Sequence, residues 1–334
     1  MSVVGCTSNR SDHDRLVSLL YGHASETVRY WATADEVPAD LDYVIELADG
    51  IVPASSDVTV GLFQVVYETT DLPQFVIHIK RAGHRHVLLY DHGHSGLPTA
   101  AEGYARDFLR QAFDNGYDLL LTSLPLVGVN SPDPSRVGGY HMKTRGVNQP
   151  SSIDPGLMTG QSRHAIFELI DDQDNFMHYF VDGAVLTSNL VSGAPNPHGV
   201  SDDYQGPTYD DVDYVGLSGG GAMGLITCAI HALTSCVLVS GFVTEDLRIE
   251  NASNFGDTEQ IAAGFYEKFT IRQLMAMSDD NGSLVLVYNR NDPCCFADPA
   301  ASEMKSRFPD YRVVVTDLAT HGYVAEDILK LLTG

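Results

Sequence analysis

The segment Tyr214–Gly224, YVGLSGGGAMG, joins an apolar run to a second apolar run through one serine among glycines. The run DVDYVGL before Ser218 predicts a buried strand, and GGAMGLITCAIHAL after it predicts a helix packed against a sheet. A residue in a sharp strand-to-helix turn is sterically crowded, and Gly216, Gly219 and Gly220 relieve that crowding. The pattern G-x-S-x-G in this context is typical of a nucleophilic serine held above a sheet edge.

Several other segments predict buried strands that alternate with helices. Downstream of Ser218 these strands are SCVLVSGFV, SLVLVYN and YRVVVTDL, and upstream they are HVLLY and YDLLLTSLPL. The segment TAAEGYARDFLRQAFDNG predicts a helix, with Tyr104, Phe108, Leu109 and Phe113 on one face. Such alternation indicates an α/β fold, a mostly parallel sheet with helices on both faces. We see no internal repeat and expect a single domain over residues 1–334.

Two regions depart from this alternation. Residues 1–80 are expected to form an N-terminal helix and antiparallel entry strands, with DYVIELADGIV, DVTVGLFQVVYE and QFVIHIKR as strands. Residues 125–165 are rich in Gly, Pro, Ser and Asn and lack periodicity. A loop of this length in a compact domain is usually a lid or a binding loop, so we predict a lid-like insertion over a site. Helical spacing resumes in DNFMHYFVDGAVLTSNLV, with Asp174 as its expected N-cap.

The composition restricts the classes of partner. The chain has 334 residues, 44 of them acidic and 20 basic, and a net charge of −24. This balance argues against nucleic acid and anionic membrane surfaces, since both need a basic footprint. The 32 Asp against 5 Lys fit either a salt-rich setting or simple solubility by charge.

Targeting signals are weak. No stretch approaches 18 consecutive apolar residues, so no membrane span is expected. No signal peptide is visible, which makes a cytoplasmic location the default expectation, with secretion if the chain is a processed form. The segment VVGC resembles the end of a bacterial lipoprotein signal but lacks the preceding apolar run.

A nucleophilic serine needs a base, and the base needs an orienting acid. Asp292 follows the strand SLVLVYN and His321 follows the strand YRVVVTDL, so both stand at ends of later strands. The chain order Ser218, Asp292, His321 is the order found when a nucleophile elbow stands on a parallel sheet. The sequence therefore predicts a catalytic triad of these three residues.

With GLSGGG, NDP and THG as elbow, acid and base motifs, residues 85–332 resemble the α/β-hydrolase superfamily. Within it, GLSGGG with NRNDPCCF resembles esterase-like hydrolases of the acetyl-xylan-esterase and dienelactone-hydrolase types. The turn YDHGHSG resembles the oxyanion loop of that fold. The resemblance implies that the backbone N–H groups of His94 and Gly219 bind the oxyanion.

Other assignments of the site are open. Ser95 in GHSGL is a competing nucleophile, but it lacks the second glycine and follows an early strand. Asp317, four residues before His321, is a competing acid. His92 and His94 form a candidate metal pair without a third ligand in register, so we expect turn residues and no metal.

The cysteines form no spaced zinc framework. Cys228 and Cys236 lie in apolar runs and are interpreted as core thiols. Cys294 and Cys295 are interpreted as packed thiols beside the acid loop, with a vicinal disulfide or a metal site as alternatives.

The expected activity is hydrolysis of a small-molecule or polymer-linked carboxylic ester through an acyl-enzyme, without a cofactor. His92 and the 125–165 insertion are candidate substrate-binding elements. Two alternatives stay open: a peptidase or amidase on the same triad, and a catalytically silent binding protein with this fold.

Overall fold

The computed structural model of the chain describes residues 6–22, 26–53, 55–96, 103–131, 140–142, 151–153, 163–169, 176–197, 200–250 and 257–333. Most of the expected lid at 125–165, and the expected N-cap Asp174, lie outside these residues. No helix in the described ranges is both long enough and apolar enough to cross a membrane.

One sheet of ten strands organises the described chain. Its order is β12-β11-β10-β9-β4-β5-β3-β2-β1-β8, and the six strands from β12 to β5 run parallel. Strands β3, β2 and β1 follow as antiparallel neighbours, and β8 pairs parallel with β1. The bounds are β1 Thr27–Trp31, β2 Val58–Val66, β3 Phe75–Arg81, β4 His86–Asp91, β5 Tyr117–Thr122, β8 Ser201–Asp202, β9 Asp211–Leu217, β10 Ser235–Val239, β11 Ser283–Asn289 and β12 Arg312–Thr316. A separate hairpin pairs β6 Tyr140–Met142 with β7 Ser151–Ile153.

Helices cover both faces of the sheet, as the alternating pattern predicted. The bounds are α1 Cys6–Tyr21, α2 Asp42–Ile51, α3 Gly103–Asp114, α4 His178–Ser192, α5 Gly219–Ile230, α6 Glu245–Glu250, α7 Thr258–Ile261, α8 Ala263–Tyr266, α9 Ile271–Asn281, α10 Ala300–Arg307 and α11 Ala325–Thr333. Short 3₁₀ turns include Gly93–Ser95, Gly128–Asn130 and Arg163–Leu169.

Two apolar cores lie on opposite faces of the sheet. Along β4, Val87 and Leu89 belong to one core, while Leu88 and Tyr90 belong to the other, because successive strand residues point to opposite faces. The first core also receives α1, α4, α5 and α9, and the second receives α2, α3 and α11. Burial on both faces explains why the central strands are continuous apolar runs.

The prediction of a strand at DYVIELADGIV is wrong, because this segment forms helix α2. Its buried residues are Val44, Ala48 and Ile51, which have the four- and three-residue spacing of one helical face. The β-branched Val and Ile suggested a strand, but packing of this face against β2 and β3 decides the helix.

The interpretation of the cysteines as thiols is also wrong. Cys228 at the end of α5 is disulfide-bonded to Cys236 in β10. Cys294 is bonded to its neighbour Cys295, which was the alternative interpretation. Both members of the first pair are buried, so closeness in the folded core pairs them.

Candidate active site

Ser218 occupies the turn between β9 and α5. Its φ of 58° and ψ of −124° lie in a region that residues with a side chain rarely adopt. Such a conformation costs about 1–3 kcal/mol and persists only where the surroundings impose it. The N–H of Ser218 donates to the carbonyl of Val239, and the Ser218 carbonyl accepts from the N–H of Ala222. The turn is therefore held from both sides.

Glycines make this turn possible by close approach. A Cβ on Gly216 would overlap the carbonyl of Gly220, and a Cβ on Gly220 would overlap the carbonyl of Asp91. The close approach of Gly216 to Gly220 brings the end of β9 against α5. The close approach of Gly220 to Asp91 brings the end of β4 against the N-terminus of α5.

Asp292 and His321 are hydrogen-bonded to each other. Nδ1 of His321 lies 2.9 Å from Oδ2 of Asp292. The N–H groups of Cys294 and Cys295 donate to Oδ1 of Asp292 at 2.8 and 3.1 Å. Burial disfavours the carboxylate, but these hydrogen bonds and the charge of His321 outweigh it and lower the pKa of Asp292. Asp292 therefore stays ionised, and His321 donates from Nδ1.

The other ring nitrogen of His321, Nε2, is buried and is not engaged in a hydrogen bond with the described residues. Parallel register aligns Leu217 with Val239 and Val239 with Val287, so β9 and β11 end at the same edge of the sheet. Ser218, Asp292 and His321 all follow strands that end at this edge.

Two residues that were not predicted from the sequence hold Asp292 and the backbone around His321 in place. Nδ2 of Asn289, the last residue of β11, donates to the carbonyls of Thr320 and Gly322 on both sides of His321. The hydroxyl of Ser240 donates to Oδ2 of Asp292 at 3.1 Å. A polar residue ending the apolar strand SLVLVYN was a signal for Asn289, but no local pattern indicated Ser240.

The turn Gly93–Ser95 lies directly over the N-terminus of α5. A Cβ on Gly93, whose φ is +68°, would come within 2.8 Å of the Gly219 nitrogen. A Cβ on Gly219 would come within 2.6 Å of the His94 ring. Gly219 is the first residue of α5, where N–H groups have no intrahelical acceptor. The structure thus brings together the two residues predicted as oxyanion donors.

His92 is buried and hydrogen-bonded below the surface. The hydroxyl of Tyr323 donates to the hydroxyl of Tyr90 at 2.8 Å. The Tyr90 hydroxyl in turn donates its own proton to Nδ1 of His92 at 2.6 Å. Burial, and then the charge of His321, lower the pKa of His92 to about 4. His92 is therefore neutral with its proton on Nε2, and its interaction with His321 places it near that residue.

Asp91, at the end of β4, is also buried. Burial raises its pKa to about 7, although the N–H of Gly93 donates to Oδ1 at 2.9 Å and favours the anion. A carboxyl that titrates near neutral pH therefore lies directly beneath the Gly93–Ser95 turn.

The side chain of His94 faces a buried carboxylate. Its Nε2 lies 2.9 Å from Oε1 of Glu259 and 3.1 Å from Oδ2 of Asp257. Burial alone would lower the pKa of His94, but these two carboxylates outweigh it and raise that pKa. Burial would raise the pKa of Glu259, but His164 and His94 lower it instead.

The structure also gives positions for the competing acid Asp317 and for the backbone of the competing nucleophile Ser95. Asp317 is exposed and pairs with Arg290 at 2.9 Å, whereas the described hydrogen bond of His321 Nδ1 goes to Asp292. Ser95 lies in the 3₁₀ turn, and its side chain is outside the described part of the chain. Of the predicted lid, only short segments are described, so its position over the site stays a prediction.

No family model matches the chain, and no curated protein matches it in sequence. Solved structures do match in fold. Acetyl xylan esterase 1 from Thermoanaerobacterium sp. JW/SL YS485 superposes with a TM-score of 0.54 at 12% identity, over 98% of this chain and 93% of that one. A methylesterase superposes with a TM-score of 0.54 at 12% identity, over 97% of this chain and 62% of the methylesterase. The chain therefore has the α/β-hydrolase fold, as its motifs predicted.

Proposed function

We propose that the protein is a serine hydrolase that cleaves carboxylic esters through an acyl-enzyme. The observation that carries the proposal is the Asp292–His321 hydrogen bond at the sheet edge where Ser218 holds its strained turn. Strain at a buried, glycine-lined turn is expected where a side chain must be presented to a ligand.

The first step is attack by the serine hydroxyl on the ester carbonyl. Nε2 of His321 takes the proton from Oγ of Ser218 as the new C–O bond forms. Asp292, kept ionised by its hydrogen bonds, stabilises the imidazolium that results. The N–H groups of Gly219 and His94 bind the oxyanion, and one such donor is typically worth about 3–4 kcal/mol of transition-state stabilisation.

The second half of the reaction releases the acyl group. The imidazolium of His321 protonates the departing alcohol, and the C–O bond to that alcohol breaks. Water then attacks the acyl-enzyme while His321 removes its proton, and the collapse of the tetrahedral intermediate frees Ser218 and a carboxylic acid. These steps need no cofactor.

An ester is favoured over an amide by analogy of fold. Two neighbours with a TM-score of 0.54 are named as an acetyl xylan esterase and a methylesterase. Because one fold hosts many activities, esters and amides are both tested, with esters first.

The test is labelling with a fluorophosphonate, followed by mass-spectrometric mapping of the modified residue. We expect one label on Ser218 in the wild-type protein and none there in Ser218→Ala. Short p-nitrophenyl esters of graded acyl length should be hydrolysed, and the matching p-nitroanilides should be hydrolysed far more slowly.

Other outcomes would change the assignment. No label on a folded sample would contradict an activated serine and favour a binding protein. A label on Ser95 would keep the hydrolase but overturn the site. Equal rates on esters and anilides would favour an amidase.

A further inference from the structure

Three side chains outside the proposed triad converge beside the Gly93–Ser95 turn. One ring nitrogen each of His94 and His164 and a carboxylate oxygen of Glu259 lie within 4.8 Å of one another. They come from three separate segments: the Gly93–Ser95 turn, the Arg163–Leu169 turn and helix α7. Oδ2 of Asp257, the N-cap of α7, lies 3.1 Å from Nε2 of His94 and brings a fourth donor.

The hydrogen bonds of His164 call for a cation in this cluster. Its Nε2 lies 2.9 Å from the carbonyl of Pro125, which only accepts, so Nε2 carries a proton. In the neutral ring Nδ1 then holds a lone pair, and this lone pair faces Oε2 of Glu259 at 2.8 Å. Two lone pairs at this distance repel unless a cation is shared between them, either a proton on Nδ1 or a metal ion. His164 is 2% exposed and Glu259 is fully buried, so bulk water does not screen this repulsion.

His94 and Glu259 are in close contact without a regular hydrogen bond between them. Nε2 of His94 and Oε1 of Glu259 are 2.9 Å apart, but both are buried atoms without a hydrogen-bond partner among the described residues. Oδ2 of Asp257 lies 3.1 Å from the same nitrogen. Nε2 of His94 is therefore close to two carboxylates without a hydrogen bond to either.

We propose that His94, His164, Glu259 and Asp257 form a binding site for a divalent transition-metal ion of the zinc class. Two imidazole nitrogens and two carboxylates are ligands that Zn²⁺ takes in a four-coordinate site. The N–H of His164 that donates to the Pro125 carbonyl matches the second hydrogen bond usual for metal-bound histidine. Ca²⁺ and Mg²⁺ prefer oxygen ligands in larger number, so the two nitrogens select against them.

A metal ion at this site gives a partner to Nε2 of His94 and Oε1 of Glu259, the two buried atoms without a hydrogen bond among the described residues. It also gives the His94 side chain a function of its own, as a metal ligand. An ion here joins the predicted oxyanion turn to α7 and to the Arg163–Leu169 turn, which begins inside the predicted 125–165 insertion. In the sequence, His92 and His94 form a candidate metal pair without a third ligand in register, so no metal was expected there. The structure brings further donors to His94 only, since Nδ1 of His92 is hydrogen-bonded to Tyr90.

The test is the metal content of the untagged full-length protein, and it does not depend on the hydrolase activity. The chelator-stripped protein is dialysed against Zn²⁺, and bound zinc is counted by elemental analysis. We expect about one Zn²⁺ per chain and a rise in Tm of several degrees with excess Zn²⁺. Ca²⁺ in place of Zn²⁺ is expected to produce neither effect.

Variants locate the ion. Glu259→Gln and His164→Ala are expected to weaken Zn²⁺ binding by at least about 100-fold, since even outer partners of metal ligands typically account for 10–100-fold. Asp257→Asn, on a half-exposed side chain that remains able to cap α7, is the variant to use if the buried ones fail to fold. The matched control is His86→Ala. His86 pairs with Asp211 at 2.9 Å on the surface, and neither residue belongs to a group of three potential metal ligands among the described residues.

Two results would overturn the proposal. A folded wild-type protein that binds no stoichiometric zinc would mean that protons, and not a metal, bridge Glu259 to the two imidazoles. Zinc retained at wild-type affinity in the folded Glu259→Gln, His164→Ala and Asp257→Asn variants would place the ion elsewhere.

Discussion

Asp292 and Asp317 both precede His321 in the sequence, but of the two only Asp292 has a described hydrogen bond to the His321 ring. The neutral substitution Asp292→Asn is expected to lower kcat by about 10⁴, because the amide favours the wrong tautomer of His321. Asp317→Asn changes an exposed residue paired with Arg290 and should leave kcat within about 3-fold. Ester hydrolysis by the two variants distinguishes the two carboxylates. A large loss in Asp317→Asn with little loss in Asp292→Asn would reverse the assignment.

Asp91 and His92 are adjacent and make opposite contributions to the pH dependence of stability. The pKa of Asp91 is raised to about 7 in the fold, so between about pH 4 and 7 the folded state holds a proton that the unfolded state has lost. Its contribution to the free energy of unfolding therefore falls as pH rises. The pKa of His92 is lowered to about 4, so the unfolded state holds the extra proton up to about pH 6.5. That contribution rises with pH.

Single substitutions should expose these opposed slopes. Asp91→Asn is expected to make the free energy of unfolding rise more steeply with pH, by up to about 1.4 kcal/mol per pH unit in this window. His92→Gln is expected to change the slope by a similar amount in the opposite sense. Denaturant unfolding at several pH values measures both, and the double variant should return close to the wild-type slope. Identical slopes in all four proteins would contradict the burial argument.

At the scale of elements, the loop after β12 depends on the last residue of β11. Asn289 donates to the carbonyls of Thr320 and Gly322, and its Oδ1 accepts from the hydroxyl of Thr316. The side chain is fully buried, so its loss leaves several polar groups without partners. Asn289 is therefore a positioning residue for His321.

Asn289→Leu should cost about 1–3 kcal/mol of stability and displace the imidazole. We expect kcat to fall by about 10–100-fold with a much smaller change in KM, because the orientation of the base is what changes. Asn291→Leu removes one exposed hydrogen bond to the Asp317 carbonyl and is the matched control. Unchanged kcat in a folded Asn289→Leu protein would show that the loop holds His321 without this residue.

The whole molecule carries a net charge of −24, and its acids outnumber its bases by more than two to one. Like charges repel most strongly in the compact state, and salt screens that repulsion. Tm should therefore rise by several degrees when NaCl is increased from about 0.01 to about 0.5 M at pH 7. The same series near the sequence pI of about 4.6 should show a much smaller rise. A Tm that falls with salt at pH 7 would mean that surface ion pairs outweigh the net repulsion.

Local patterns accounted for much of the fold and for the candidate triad. The central parallel strands are predictable because burial on both faces demands continuous apolar runs, and β9 to β11 are such runs. Ser218 is predictable because its turn needs glycines nearby in sequence. Asp292 and His321 follow from their positions after predicted strands. Helix α2 was missed because β-branched residues outweighed the helical spacing of Val44, Ala48 and Ile51.

Only the tertiary structure decided which residues from separate segments of the chain come into contact. The meeting of His94, His164 and Glu259 depends on how the Gly93–Ser95 turn, the Arg163–Leu169 turn and α7 pack together, and no periodicity in the sequence records that packing. The Cys228–Cys236 bond joins residues only 8 positions apart, but it too depends on how the end of α5 packs against the start of β10. Sequence patterns report on the burial and conformation of each segment by itself, whereas the side chains that meet are selected by the free energy of the whole packed core.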